Sequence, residues 1–340
     1  MFKEGIFCSS DASLLQSAID FLSEWSREGA VLKVQTSGST GKPKLISIQK
    51  SQMVLSASKT NDFFKLNTST KAFLCLSIET IAGKMMLARA IVGNYSLRIE
   101  KPSSNPLSTI TDCFDFMAIV PLQLETILNE TPTKLDLVKT IIVGGAPVSD
   151  MLKKQLKNSK KSVFQTFGMT ETVSHVALKK IGFEESSYYE ALSGITFSEQ
   201  NGNLIINYIE LLAEPLLTTD LVRLESETRF EWLGRIDFII NSGGVKLNPA
   251  LIENKLSSLI PFPFFISSLP DNFLGNKVVL VLESKEIIHF SKSNFESILT
   301  RFEIPKLLTN MLTFERTSSG KINRIETLSK IVANDWKPIL

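Results

Sequence analysis

Histidine is scarce: the 340 residues hold only two, His175 and His289. That excludes a multi-histidine metal site and leaves a Ser-His-Asp triad few places to stand. Cysteine is almost as rare. Cys8, Cys75 and Cys113 are far apart and lack CxxC spacing, so neither a disulfide framework nor a zinc site is expected. Cys75 and Cys113 lie in apolar runs and read as small core residues. No apolar stretch approaches the roughly 18 residues of a membrane span. Met1–Ser10 shows no basic segment followed by an apolar one, so no leader is read there and the cytoplasm is the default location. An excess of one charge is missing too. With 37 basic and 35 acidic residues the net charge is +2, which sets up no field aimed at nucleic acid or an anionic membrane. The one charge run, Lys153–Lys161, reads as a solvated helix face.

What is present is ordinary for a globular chain: 43% hydrophobic and 21% charged residues, with enough length to bury a core without staples. Such a length suggests two domains, or a large one and a small one. Short β-branched apolar runs predict strands at Val31–Gln35, Ala72–Leu76, Met117–Val120, Thr140–Val143, Leu204–Asn207, Phe238–Ile240 and Val278–Leu282. Longer amphipathic patterns predict helices at Ala12–Glu28, Lys50–Phe63, Gly83–Val92, Pro121–Asn129, Ser149–Asn158, Pro249–Leu259 and Lys292–Leu299. The alternation predicts an α/β fold with layered sheets. A strand-rich stretch with turn signals such as Asn201-Gly202-Asn203 ends near Leu233–Asp237. The expected division is therefore a large α/β domain over 1–234 and a small α+β domain over 235–340.

Chemistry concentrates in a few segments. Thr36-Ser37-Gly38-Ser39-Thr40-Gly41-Lys42-Pro43-Lys44 follows a predicted strand and precedes a helical pattern. Glycines let the backbone turn its N–H groups inward, and hydroxyls and lysines add donors for phosphate oxygens. It is not a Walker A loop, because Thr36 stands where the first glycine should be and Pro43 follows Lys42. A Ser/Gly-rich surface turn is the bland alternative. Instead the run resembles the phosphate loop of the adenylate-forming superfamily of acyl-CoA synthetases, adenylation domains and luciferases, T-S-G-S-T-G-x-P-K.

Further segments follow in that superfamily's order. In Val143-Gly144-Gly145-Ala146-Pro147 a glycine pair at a strand end admits a flat ligand, and the resemblance implies that Gly145 and Ala146 pack along adenine. Phe167-Gly168-Met169-Thr170-Glu171 resembles Y-G-x-T-E. It implies an aromatic ring at the adenine, Thr170 on the α-phosphate and Glu171 on Mg²⁺, a hard cation suited to carboxylate and phosphate oxygens. Phenylalanine in place of tyrosine forfeits a phenol hydrogen bond but not stacking. A helix N-cap at Thr170 is the structural alternative. Thr218-Thr219-Asp220 resembles T-G-D, implying that Asp220 bonds the ribose hydroxyls. The stretch from Gly234 to Glu253 resembles G-R-x-D-x-I followed by G-G-x-x-I-x-P-x-x-I-E. It implies Arg235 at ribose or phosphate, Asp237 as the hinge of a mobile lid, and Gly243 and Gly244 along the entry of the thiol arm. A hairpin with a glycine turn would use the same residues. Ser318-Ser319-Gly320-Lys321-Ile322-Asn323-Arg324 resembles the lysine motif P-x-T-x-x-G-K-x-x-R without its proline, implying a catalytic Lys321.

The resemblance thus implies an ATP- and Mg²⁺-dependent ligase that activates a small-molecule carboxylic acid as acyl-AMP and hands it to a thiol, coenzyme A or a carrier protein. The phosphate loop starts so early that most of the usual N-terminal subdomain would be absent. That compact layout, and the run Met169-Thr170-Glu171-Thr172-Val173-Ser174-His175, resemble bacterial o-succinylbenzoate–CoA ligases of menaquinone biosynthesis. Thr80 falls where that family commonly has histidine. Lys84, Arg89 and His175 are candidates for holding the acid's second carboxylate, although surface or core positions would explain them equally. Another aryl or short acyl acid, and a non-catalytic nucleotide-binding relic, are the competing readings.

Overall fold

The computed structural model describes residues 7–35, 45–159, 161–286, 288–317 and 322–339. Its strands are β1 (Phe7–Cys8), β2 (Val31–Gln35), β3 (Leu45–Gln49), β4 (Lys71–Leu74), β5 (Ser96–Ile99), β6 (Phe114–Ile119), β7 (Val138–Val143), β8 (Ser162–Gly168), β9 (His175–Ile181) and β10 (Tyr189–Ala191). They continue with β11 (Thr196–Gln200), β12 (Asn203–Asn207), β13 (Leu216–Ser226), β14 (Arg229–Arg235), β15 (Ile240–Ser242), β16 (Val245–Leu247), β17 (Phe264–Asp271), β18 (Gly275–Glu283), β19 (Leu307–Met311) and β20 (Lys337–Pro338). The helices are α1 (Ala12–Trp25), α2 (Lys50–Phe64), α3 (Ile81–Gly93), α4 (Pro121–Glu130), α5 (Asp150–Leu156), α6 (Pro249–Leu256), α7 (Lys292–Glu296) and α8 (Arg324–Ser329).

A 12-stranded sheet runs in the order β1-β5-β4-β6-β7-β8-β9-β10-β14-β13-β12-β11. Its first half is parallel, and from the β8–β9 pairing onward every neighbour is antiparallel. The parallel strands are apolar on both faces, as strands covered by helices must be. Along β6, Phe116 and Ala118 join one core with α2 and α3, while Met117 and Ile119 join a second with α4 and α5. Residues after 239 build a separate six-stranded sheet with its own apolar clusters. The α/β architecture with a smaller α+β portion is as expected.

Several local expectations need correction. Phe238–Ile240 does not form one strand: Ile236–Phe238 is a 3₁₀ turn, and β15 begins at Ile240. Cys113 is exposed rather than core, because the apolar register of β6 starts one residue later, at Phe114. The segment after residue 44 enters a strand before the helix. β3 pairs antiparallel with β2, with Gln35 opposite Leu45, and only then does α2 start.

Candidate functional site

The parallel half of the sheet ends at β8, where the strand pattern changes, and sheets of this kind place ligands at the carboxyl ends of their strands near such a switch. Two expected segments meet there. Gly144 leaves the end of β7 with its N–H on the Ile119 carbonyl (3.0 Å), and β7 pairs with β8 through Val143 opposite Gln165. A Cβ at Gly144 would lie 2.6 Å from the Thr166 hydroxyl, so a side chain there would have to displace that hydroxyl. Gly145 follows with φ +94°, in the region that favours glycine. The Phe167 ring, half-buried, rests on Tyr189 (5.6 Å between centroids) and Phe230 (5.0 Å).

Beyond Gly168 the chain makes a tight turn rather than a helix. Thr172 is fully buried. Its hydroxyl accepts from the Met169 N–H (3.1 Å) and lies 2.8 Å from the Ser174 carbonyl. Val173, β-branched, is held at φ +66°, and the cost of such a conformation, roughly 1–3 kcal/mol, is met by the surrounding packing. The turn leaves Thr170 half-buried and the Glu171 carboxylate exposed, with no ion-pair partner among the described residues.

Behind this turn lies a buried polar cluster joining α2, α3 and β9. Arg89, 2% exposed, donates to the Ser174 hydroxyl (2.7 Å) and lies 3.5 Å from His175 Nδ1. His175 Nε2 is 3.2 Å from the Thr60 hydroxyl, which donates to the Ser56 carbonyl (3.1 Å). The inventory closes if His175 is neutral with its proton on Nε2: Nδ1 accepts from the guanidinium and Nε2–H donates to Thr60. Burial, and then the adjacent Arg89 charge, hold the His175 pKa well below the ordinary value. Burial lowers the Arg89 guanidinium to about 10, still charged at neutral pH. No carboxylate pairs with it among the described residues, and its Nε has no hydrogen-bond partner. Thr80 caps α3, accepting from the Gly83 N–H (3.3 Å), and Lys84 Nζ donates to the Lys33 carbonyl (3.0 Å) on β2.

Asp220 and Arg235 sit opposite one another on β13 and β14. The Asp220 carboxylate accepts from the Trp232 indole (2.8 Å), and burial raises its pKa. Arg235 reaches past it to the Thr219 hydroxyl (2.7 Å) and the Asp237 carboxylate (2.6 Å). Thr219, where the resembled motif carries glycine, thereby ties Arg235 to the segment after β14. Gly243 and Gly244, at φ +58° and +79°, form the two-residue turn of the β15–β16 hairpin, and the Gly243 N–H donates to the Leu274 carbonyl (2.8 Å). Two sequence candidates, the Thr36–Lys44 loop (Thr36, Ser37, Gly38, Ser39, Thr40, Gly41, Lys42, Lys44) and Lys321, lie outside the described residues.

A family model described as "AMP-binding enzyme" matches residues 25–196, half of the chain. The chain belongs to this AMP-binding enzyme family. Among solved structures it resembles an acyl-CoA synthetase (AMP-forming)/AMP-acid ligase II-like protein from Dyadobacter fermentans, 35% identical, with 92% of this chain and 93% of that one covered and a TM-score of 0.62. It also resembles the 2-succinylbenzoate–CoA ligase of Listeria monocytogenes serotype 4b, 25% identical over 94% of this chain and 74% of that protein. The fold alone is shared with o-succinylbenzoate coenzyme A synthetase from Bacillus subtilis in complex with ATP and magnesium ion, 20% identical over 87% and 69% of the two chains, TM-score 0.75. This AMP-binding enzyme thus falls among the AMP-forming acid–CoA ligases. None of its helices is long and apolar enough to cross a membrane, among the described residues. Sequence reading missed Ser174, Thr60, Tyr189 and Trp232. Ser174 stands inside the Met169–His175 run without being singled out there, and Trp232, a lone indole beside Gly234-Arg235, carried the other signal.

Proposed function

We propose that this enzyme uses ATP to activate o-succinylbenzoate as its acyl-adenylate and transfers the acyl group to coenzyme A, releasing AMP and pyrophosphate. The observation that carries the choice of acid is Arg89, a buried cation with no carboxylate partner among the described residues, behind the Thr170–Ser174 turn. A lone buried charge is costly, and a carboxylate is the group that removes the cost. A substrate with one reacting carboxylate and a second to be held fits that vacancy in the charge balance. His175, neutral, and Ser174 complete its polar surround. Relatives named as 2-succinylbenzoate–CoA ligases support the same acid, and cytoplasmic residence is the expectation that goes with it.

In the first half-reaction an oxygen of the reacting carboxylate attacks the α-phosphorus and the bond to pyrophosphate breaks. Negative charge gathers on phosphate oxygens, so fixed donors and cations supply most of the acceleration. Lys321 and the Thr36–Lys44 loop supply these, Thr170 bonds the α-phosphate, Gly145 and Ala146 flank the base with Phe167, and Asp220 accepts from the ribose. Glu171 fits Mg²⁺: the exposed carboxylate is unpaired, no cluster of three ligating side chains accompanies it among the described residues, and Mg²⁺ takes its other ligands from phosphate and water. When bound, the ion neutralises the phosphate charge. In the second half-reaction the thiol attacks the acyl carbon, AMP leaves, and the thiol proton passes to solvent. The lid after residue 235 turns about Asp237 between the two, withdrawing Lys321 and bringing Gly243–Gly244 to the thiol arm.

The test is ATP- and Mg²⁺-dependent pyrophosphate release with a panel of acids, each with and without coenzyme A. Selective turnover of o-succinylbenzoate, rising with coenzyme A and giving the thioester, is expected. Turnover of a different acid would discard this substrate and keep the ligase. Silence across the panel with intact ATP binding would favour a nucleotide-binding relic.

A further inference from the structure

The described segments that flank Lys321 in sequence are each held by a carboxylate–guanidinium pair. On the incoming side, Glu283 at the end of β18 accepts from the Phe314 N–H (2.7 Å) with one oxygen and from Arg316 (2.5 Å) with the other. On the outgoing side, Glu253 of α6 accepts from the Ile266 N–H of β17 (2.8 Å) with one oxygen and from Arg324 (2.9 Å) with the other. The two arms are bonded to each other: Arg316 and Ile322 form an antiparallel bridge, and the Asn323 N–H donates to the Glu315 carbonyl (2.7 Å). In sequence, Lys321 stands between the two residues of that bridge, one position before Ile322.

The outgoing pair also reaches the hinge. The Arg324 guanidinium lies 5.3 Å from the centre of the Phe238 ring and 5.4 Å from that of Phe265. Phe238 belongs to the 3₁₀ turn that contains Asp237, and its other cationic neighbour is Arg235 (5.9 Å). Both carboxylates are largely shielded, and each spends one oxygen on a backbone N–H of the frame. Shielded pairs of this kind add little net stability but fix geometry, because a hydrophobic replacement could hold the same volume without the same direction.

We propose that Glu253–Arg324 and Glu283–Arg316 form a clamp of positioning residues that fixes the two arms flanking Lys321 for its role in adenylation, and that Arg324 couples these arms to the hinge through Phe238. The clamp rests on the adenylation role of Lys321 given above. It predicts a defect confined to one half-reaction. Arg324→Met and Glu253→Gln are expected to lower acid-dependent ATP–pyrophosphate exchange through kcat by roughly tenfold to a hundredfold, the loss that small misplacements of a catalytic group produce. Thioester formation from supplied acyl-adenylate should stay within a factor of about two in the same preparations, which also shows that they are folded. Arg324→Lys, which keeps the charge but not the fork, should recover part of the loss. Loss of exchange in Lys321→Ala alongside normal exchange in folded clamp variants would overturn the clamp alone. Equal loss of both half-reactions in the clamp variants would reduce the pairs to scaffolding. Full exchange in Lys321→Ala would overturn the underlying reading and the clamp with it.

Discussion

His175 turns a matter of burial into a pH dependence. Its folded-state pKa lies well below the ordinary value, chiefly through burial and then through Arg89, with Thr60 and Ser174 as its other polar neighbours. Below about pH 6.5 the unfolded chain binds a proton that the folded chain refuses, so stability is lost as pH falls, by up to about 1.4 kcal/mol per pH unit. Glutamine cannot titrate. The difference in melting temperature between wild type and His175→Gln should be constant above pH 7 and shift steadily in favour of the variant between pH 6.5 and 5. Parallel curves over that range would show that His175 is not the buried neutral group described. At this scale short local motifs are what the sequence offers, and the roles they suggest remain those proposed above. Phe167, Gly168, Thr170, Glu171, Asp220 and Arg235 were all named from short motifs. The partners that hold them were not. Thr60 meets His175 across 115 positions, and no local pattern reports such a meeting.

Among the elements, the β15–β16 hairpin is where turn chemistry and proposed function use the same two residues. A glycine pair with both φ values positive is the turn that matches strand twist, and Ser242 opposite Val245 closes it. A Cβ on Gly244 would meet nothing within 4 Å, so a larger side chain has room, and its main cost is the left-handed backbone, about 1–2 kcal/mol. Gly244→Leu is therefore expected to fold and to retain acid-dependent pyrophosphate exchange, while thioester formation with coenzyme A falls at least roughly tenfold through loss of close backbone approach. Unchanged thioester formation would remove Gly244 from the thiol path. The helices α2, α3 and α4 were legible from their helical patterns, and the parallel strands β4, β6 and β7 from short apolar runs, while β5 (Ser96–Ile99) was not read as a strand. Nor were strands β8 to β10 and β13. Charged and hydroxyl residues interrupt their alternation, and pairing with neighbours far along the chain, not local pattern, makes them strands. Phe238–Ile240 was misread for the opposite reason: an apolar run of three fits a strand, but the Asp237 side chain, bonded to Thr219 and Arg235, bends the chain there.

Taken whole, the molecule has no apolar cluster among the described residues that mixes residues from before 233 with residues after 239. The two sets meet at polar and mixed contacts: Asn248 at the start of α6 donates to the Leu233 carbonyl (2.8 Å), a Cβ on Gly234 would strike the same Asn248 side chain at 2.7 Å, Met151 and Lys154 of α5 line one cleft with Ser257, Ser258, Leu259 and Pro261, and Glu125 of α4 lies within the field of Arg316 and Glu283. Two cores joined through so little apolar surface need not melt together, and a chain built this way departs from two-state behaviour. The same separation is what a lid turning about Asp237 requires, since rotation then breaks few packed contacts. Leu280, fully buried in the smaller core on β18, reports on one side only. Leu280→Ala removes about 2–5 kcal/mol of packing from that side. Calorimetry of the full chain should resolve two transitions in the wild type, one of which moves down in the variant while the other stays. ATP with Mg²⁺ should raise the unmoved transition, because the base, ribose and metal contacts proposed for it all lie before residue 235. A single transition that shifts as one body on substitution would mean that the two cores are thermodynamically fused despite their separate packing, and would remove the argument that a lid can turn about Asp237 at little cost.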